Sequence, residues 1–138
     1  MPELIESFDA HYRLGIPQMD ATHREFVDLV NRLGESGKAG FLCRFEELVR
    51  HTEDHFSAEN ALMQESGFPA IREHMDEHRR VQGDLQRLLA RVEAGSTVLA
   101  HAYVIEQLPP WFRLHAVTMD SALAAHLGQA AAGQTARA

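Results

Sequence analysis

The stretch IREHMDEHRRVQGDLQRLLARV, residues 71–92, decides the fold of this chain. Apolar residues recur in it at steps of three and four, which is the spacing of one face of an α-helix. We therefore predict a helix over about residues 69–94 that packs this face against other helices. Two histidines interrupt the face at core positions, and the complete face comprises Ile71, His74, His78, Val81, Leu85, Leu88 and Val92.

The rest of the chain contains three more helical patterns, separated by glycine, proline and serine. Asp20 is predicted to cap a first helix that ends near Gly37, a second helix covers roughly 41–65, and a fourth follows residue 97 and ends near Leu127. The pair Pro109-Pro110 is expected to kink the fourth helix, because proline removes a backbone donor. Four amphipathic helices with short connections predict an all-α fold, an antiparallel up-down four-helix bundle.

Length and composition indicate a single soluble domain. The chain has 138 residues, of which 45% are hydrophobic and 24% are charged. A chain of this length can bury a substantial core. We expect residues 1–128 to form the bundle with a short N-terminal arm, and residues 129–138 to form a disordered tail.

Net charge and cysteine content limit the possible partners. A formal charge of -7 disfavours nucleic acid and anionic membranes, which proteins bind through clustered lysine and arginine. No apolar run is long enough to span a bilayer, and the single Cys43 cannot form an intramolecular disulfide. We therefore expect no nucleic-acid partner, no membrane association and a cytoplasmic location.

Seven polar side chains occupy predicted core positions, where burial without partners would destabilise the fold. An unpaired buried imidazole costs roughly a few kcal/mol, and an unpaired carboxylate costs more. A single core histidine is usually hydrogen-bonded to a neighbour, but a set spread over all four helices indicates a metal site. The set comprises His23 on the first helix, His55 and Glu59 on the second, His74 and His78 on the third, and His115 and Asp120 on the fourth.

The spacings of these residues favour two metal ions over one. Residues four apart are separated by about 40° around an α-helix, so the second and third helices can each direct two ligands at one centre. His115 and Asp120 are five residues apart and therefore about 140° apart on a regular helix. Such a pair suits ligands that reach toward two sides of an extended centre.

Four segments of the chain resemble the hemerythrin family: GIPQMDATHREF (15–26), HTEDHFSAENALM (51–63), GFPAIREHMDEH (67–78) and WFRLHAVTMD (111–120). The resemblance covers about residues 8–127, and all seven positions of the family's ligand pattern are filled. It implies two iron ions with a bridging oxo or hydroxo group. In that arrangement one iron is bound by three histidines, His74, His78 and His115. The other iron is bound by two histidines, His23 and His55. Two carboxylates, Glu59 and Asp120, bridge the irons.

The implied ligand count leaves one open position, on the iron that His23 and His55 bind. The resemblance therefore implies reversible dioxygen binding, for carriage, storage or sensing, rather than an enzymatic activity. The alternative is a di-iron enzyme that reduces peroxide, nitric oxide or nitrite at the same centre. Structural zinc is disfavoured because it prefers four ligands and often uses cysteine.

Three residues near the ligands bear on the shape of the site. Trp111 and Phe112 lie one turn or less before His115, and they are candidates for the wall of an oxygen pocket, with ordinary core packing as the alternative. Asn60 stands where the family commonly has an acidic residue. This departure bears on pocket shape and oxidation rate rather than on ligation.

Overall fold

Four long helices make up the fold. α1 spans Pro17–Glu35, α2 spans Lys38–Ser66, α3 spans Ile71–Glu93, and α4 begins at Val98. This computed structural model describes the backbone of residues 3–6 and 8–137 and the side chains of 3–6, 8 and 11–129, and these ranges contain no strand. Connections of at most four residues join successive helices. Neighbours therefore run antiparallel, and the predicted all-α four-helix bundle is confirmed.

The start of α1 differs from the prediction, because Asp20 does not cap it. The helix begins at Pro17, whose fixed φ suits a first helical turn, and Asp20 lies inside that turn. Its carboxylate accepts hydrogen bonds from the backbone N–H groups of Leu14, at 2.7 Å, and Gly15, at 3.0 Å. Asp20 therefore holds the preceding turn, in which Gly15 has a φ of 83°.

The end of α2 follows its sequence signal. Gly67 adopts a left-handed conformation with a φ of 66°, which a glycine accepts without a steric penalty. The next N–H, that of Phe68, donates to the carbonyl oxygen of Met63 at 3.0 Å. This pairing satisfies a carbonyl that the helix would otherwise leave exposed, and it turns the chain toward α3.

The fourth helix, α4, contains two widened turns. Its α-helical segments Val98–Ala102, Leu108–His115 and Ser121–Arg137 are joined by the π-helical turns Tyr103–Gln107 and Ala116–Asp120. The first π-turn directly precedes Pro109-Pro110, and in it Leu108 donates its N–H to the carbonyl oxygen of Tyr103, five residues back. The irregularity predicted at the prolines therefore takes the form of a π-turn. The last segment continues to Arg137, so the predicted helix end near Leu127 is wrong. Side chains beyond residue 129 lie outside the described part, and the disordered tail stays a prediction.

The candidate ligands form a polar layer between two apolar clusters. The larger cluster includes Phe26, Phe56 and Phe112, and the N-terminal arm adds Tyr12 to it. A smaller cluster, which includes Met63, closes the other side. Hydrocarbon thus covers both faces of the polar layer. Among the described residues, no helix combines the length and hydrophobicity that crossing a membrane requires.

Candidate metal centre

All seven candidate ligands meet in the polar layer, and each is at most 6% exposed. They form two groups in which the ligand atoms lie within 4.8 Å of one another, and Glu59 belongs to both. The three-histidine group consists of His74, His78 and His115 with Glu59 and Asp120, and the two-histidine group consists of His23 and His55 with Glu59. The structure therefore brings together every predicted ligand.

Glu59 presents one carboxylate oxygen to each group. Its Oε2 lies 2.8 Å from Nε2 of His55 and 3.1 Å from Nε2 of His23. Its Oε1 lies 3.1 Å from Nε2 of His78. Glu59 is therefore placed to contribute one ligand atom to each of two adjacent centres.

The carboxylate of Asp120 also presents one oxygen to each histidine group. Its Oδ2 lies 3.0 Å from Nε2 of His23, while its Oδ1 lies 3.0 Å from Nε2 of His74 and 3.1 Å from Nε2 of His115. The two carboxylates therefore lie side by side between the histidine groups. This arrangement agrees with the bridging role that the family resemblance implies for both residues.

The predicted divergence of His115 and Asp120 is wrong, because the helix is not regular between them. The π-turn Ala116–Asp120 separates the two residues, and Ser121 closes it by donating its N–H to the carbonyl oxygen of Ala116, five residues back. A turn closed by such a bond brings residues five apart to the same side of the helix. The side chains of His115 and Asp120 therefore meet, with Nε2 of His115 3.1 Å from Oδ1 of Asp120.

Several buried polar atoms in the cluster lie close to a neighbouring ligand atom, but among the described residues they make no hydrogen bond of acceptable geometry. Buried polar groups in folded proteins are nearly always paired, so this concentration of unpaired donor atoms is the pattern expected of metal-binding side chains. The inward-facing members all belong to the three-histidine group: Nε2 of His74, His78 and His115, Oε1 of Glu59 and Oδ1 of Asp120. Imidazole nitrogen and carboxylate oxygen are donors that suit iron and related divalent metals. The donor set therefore fits a metal.

Without a metal, protons balance the charge of the two carboxylates. Burial alone would lower the pKa of His23, but hydrogen bonds and charge from Asp120 and Glu59 outweigh burial and raise the pKa to about 10. Proximity to the same two carboxylates also outweighs burial at His74 and raises its pKa to about 9. Burial would raise the pKa of Glu59, but the charge of His55 and three histidine hydrogen bonds hold it well below its usual range. A metal ion would replace these protons.

The two aromatic residues that precede His115 lie on different sides of the cluster. Phe112 packs edge-on against His23 with ring centroids 5.8 Å apart, so it borders the two-histidine group. Trp111 stacks on His115 at 4.7 Å and borders the three-histidine group. The indole Nε1–H of Trp111 donates to Oε1 of Glu77 at 2.8 Å. Of the two residues, Phe112 is therefore the one placed to line a pocket at the two-histidine group.

Sequence reasoning missed the neighbours of His78. The Phe56 ring lies parallel to the imidazole with centroids 3.9 Å apart, and Oδ1 of Asn60 lies 2.9 Å from the imidazole Nδ1. Both residues are on α2, four positions apart and therefore on one face of that helix. The sequence signals were their proximity to Glu59 and, for Asn60, the departure from the acidic residue that is common in the family. Neither signal identifies His78 as the neighbour, since contacts between helices depend on packing.

Other histidines lie outside the cluster. His51 is largely buried and lies one turn before His55, and its Nε2 donates to the carbonyl oxygen of Thr22 at 3.2 Å. His126 makes a similar contact with the carbonyl oxygen of Ser66 at 2.8 Å. These contacts give both residues a structural role between helices.

The fold and the cluster define a class of protein, a four-helix bundle with a buried histidine and carboxylate site that can hold cations. The chain matches the hemerythrin HHE cation binding domain over residues 14–127. It belongs to the hemerythrin family, as the four sequence segments predict.

Relatives in this family include bacterial proteins of similar length. A bacteriohemerythrin from Ralstonia nicotianae is 34% identical over 116 residues, which is 84% of each chain. A bacteriohemerythrin from Aquifex aeolicus is 29% identical over 117 residues, covering 80% of this chain and 88% of the relative. A bacteriohemerythrin from Pseudomonas aeruginosa is 32% identical over 88 residues, covering 61% of this chain and 58% of the relative. No solved structure matches the chain significantly.

Proposed function

We propose that this protein binds dioxygen reversibly at a pair of iron ions that share an oxo or hydroxo bridge. The placement of Glu59 and Asp120 carries the proposal. Each carboxylate directs one oxygen to the three-histidine group and the other toward the two-histidine group. A single metal ion would leave one oxygen of each carboxylate without a role, whereas two adjacent ions would use all four.

The two groups are unequal, and this inequality supports binding of an external molecule at one of them. One group offers three imidazoles and the other offers two; Glu59 belongs to both groups, and Oδ2 of Asp120 lies 3.0 Å from Nε2 of His23. With equal contributions from the carboxylates, the two-histidine group has one protein ligand fewer. We infer that dioxygen binds on that side, next to His23 and His55.

The surroundings of the two-histidine group favour a stable reduced centre. A pair of ferrous ions would supply the electrons and the open coordination position that reversible dioxygen binding requires. Phe112 is 2% exposed and Phe26 is 1% exposed, and their stacked rings lie 5.2 Å apart beside His23. These rings exclude water from the site, and water exclusion slows loss of electrons to solvent-borne oxidants.

The proposal is tested by iron content and by the optical spectrum. Protein from iron-supplied cells is expected to contain two irons per chain. The reduced protein should develop a coloured band in air and lose it when oxygen is removed, over repeated cycles. One tightly held zinc ion in place of two irons, or irreversible oxidation in the first cycle, would refute the proposal.

Matched histidine variants connect this behaviour to the cluster. His23→Ala should lose or loosen the iron of the two-histidine group and abolish the oxygen band. His126→Ala removes a histidine whose described contacts are the backbone carbonyl of Ser66 and the ring of Phe68, and not a candidate ligand, so it should retain both irons and the band. Turnover of peroxide, nitric oxide or nitrite by the wild-type protein at about 1 to 1,000 per second would favour the enzyme alternative instead.

A further inference from the structure

The five histidines of the cluster share one orientation but differ in what lies behind them. In each, Nε2 faces a carboxylate of the cluster, so Nδ1 is the outward nitrogen. Among the described residues, the outward Nδ1 atoms of His23, His55, His74 and His115 are buried without a hydrogen-bond partner. The Nδ1 of His78 alone in this set has one, the Oδ1 of Asn60 at 2.9 Å.

This contact fixes the proton of His78. A neutral imidazole that uses the Nε2 lone pair for a metal carries its hydrogen on Nδ1. Asn60 Oδ1 is an acceptor, so it stabilises this tautomer, with Nδ1–H as the donor. Phe56 fixes the plane of the ring, since the two rings are parallel within 6° at a centroid distance of 3.9 Å. Two residues of α2 therefore determine both the tilt and the protonation of a ligand on α3.

The acceptor is an amide, and its lack of charge has a chemical consequence. A carboxylate that accepts the Nδ1 hydrogen pulls the proton toward itself and makes the imidazole a stronger donor to the metal. Stronger donation stabilises the more highly charged, oxidised metal. A neutral amide holds the ring in the same geometry with less of this effect, so it leaves the reduced metal more stable.

We propose that Asn60 is a positioning residue for His78 that orients its Nε2 toward the metal while keeping the reduction potential of the centre higher than a carboxylate would. This inference rests on the proposed function, because the reduced centre is the form that accepts dioxygen. The role is indirect, since the contact of Asn60 is with the outward side of the ring.

Two substitutions at one position separate geometry from charge. Asn60→Leu keeps the branching at Cγ but removes the acceptor, and Asn60→Asp keeps the acceptor and adds a charge. Gln64→Glu is the matched control, because it adds the same charge one turn further along α2 on an exposed residue. Circular dichroism melts of all three variants establish that the bundle is intact.

The first readout uses zinc, so it does not depend on iron or oxygen. In the zinc-loaded wild-type protein, nitrogen-15 NMR should show a slowly exchanging Nδ1–H on His78. Asn60→Leu should lose this signal and bind zinc about 10- to 100-fold more weakly, whereas Asn60→Asp should keep both. An unchanged signal and affinity in Asn60→Leu would overturn the positioning role, whether or not the iron protein binds oxygen.

The second readout is the reduction potential of the iron-loaded protein. Asn60→Asp should shift it downward and accelerate oxidation in air, and Asn60→Leu should shift it upward. A purely structural residue would move both variants in the same direction, and that result would overturn the electronic role. A shift in Gln64→Glu as large as that in Asn60→Asp would overturn it as well, because the charge alone would then account for the effect.

Discussion

Replacing Phe112 by alanine should destabilise the fold and also expose the two-histidine group to water. The side chain is 2% exposed and touches Phe26, Tyr12 and His23 with ring centroids 5.2, 5.3 and 5.8 Å away. Truncation of a buried phenylalanine to alanine costs about 3–5 kcal/mol. The unfolding entropy of a chain of 138 residues is about 0.3 kcal/mol/K. The melting temperature should therefore fall by about 10–17 °C.

The functional effect is an accelerated loss of the reduced state. The space left beside His23 would admit water, so the reduced iron protein should oxidise irreversibly at least severalfold faster in air. Iron content should stay near that of the wild-type protein, because Phe112 contributes no ligand atom. Phe112→Leu, which retains most of the apolar volume, should show a smaller change in both quantities. The assays are thermal melting, iron analysis and the decay of the oxygenated spectrum.

Phe41→Ala separates the effect on the site from general destabilisation. Phe41 is 1% exposed and stacks on Phe45 at 5.6 Å rather than on a cluster histidine. Its truncation should lower the melting temperature by a similar amount and leave the oxidation rate unchanged. Equal acceleration by Phe41→Ala and Phe112→Ala would show that Phe112 has no specific shielding role. If neither substitution accelerated oxidation, the prediction that Phe112 forms a wall of the oxygen pocket would be wrong.

Four other changes test the charges and turns described above. In the metal-free protein, the raised pKa values of His23, about 10, and His74, about 9, stabilise the fold below the unfolded value of 6.5, and this stability is lost as pH rises through 9 to 10. The metal-free melting temperature should therefore fall between pH 7 and 10, and a flat profile would contradict the charge assignment. Metal uptake at pH 7 should release about two protons, measured by calorimetry in buffers of different ionisation enthalpy. A binding enthalpy that did not depend on the buffer would contradict this proton release. Glu59→Ala should lower the iron content of both groups together. A normal two-iron spectrum in this variant would mean that Glu59 is a core residue and does not bridge the metals. Gly67→Ala, at a φ of 66°, should cost about 1 kcal/mol in thermal melts, and an unchanged melting temperature would mean that the helix end relaxes.

The sequence predicts the bundle and the membership of the site because both depend on patterns within single helices. His55 with Glu59, and His74 with His78, stand one turn apart in otherwise apolar faces, and a regular helix suffices to bring each pair together. The family resemblance then connects the helices, and the comparison confirms that family. The identity of the metal and its ligation by these residues remain proposals.

The features that sequence reasoning predicted wrongly or missed depend on contacts outside a single regular helix. Asp20 has the residue type of a cap, but it binds the backbone of the preceding turn because Pro17 already begins the helix. Asn60 meets His78 only because α2 and α3 pack with that register. His115 and Asp120 converge only through a π-turn, whose widened hydrogen bonding is not encoded by a spacing of apolar residues.

The π-turn Ala116–Asp120 also acts as a phase shift between two parts of one helix. One extra residue corresponds to a rotation of about 100° on a regular α-helix. The residues before the turn and those after it can therefore both face the bundle axis, although no single periodic stripe includes them all. Deleting Val117 would restore regular winding and rotate Asp120 and Leu123 together relative to His115. Either Leu123 or Asp120 would then face away from the bundle axis. The π-turn therefore allows one helix to contribute both to the apolar cluster and to the candidate metal site.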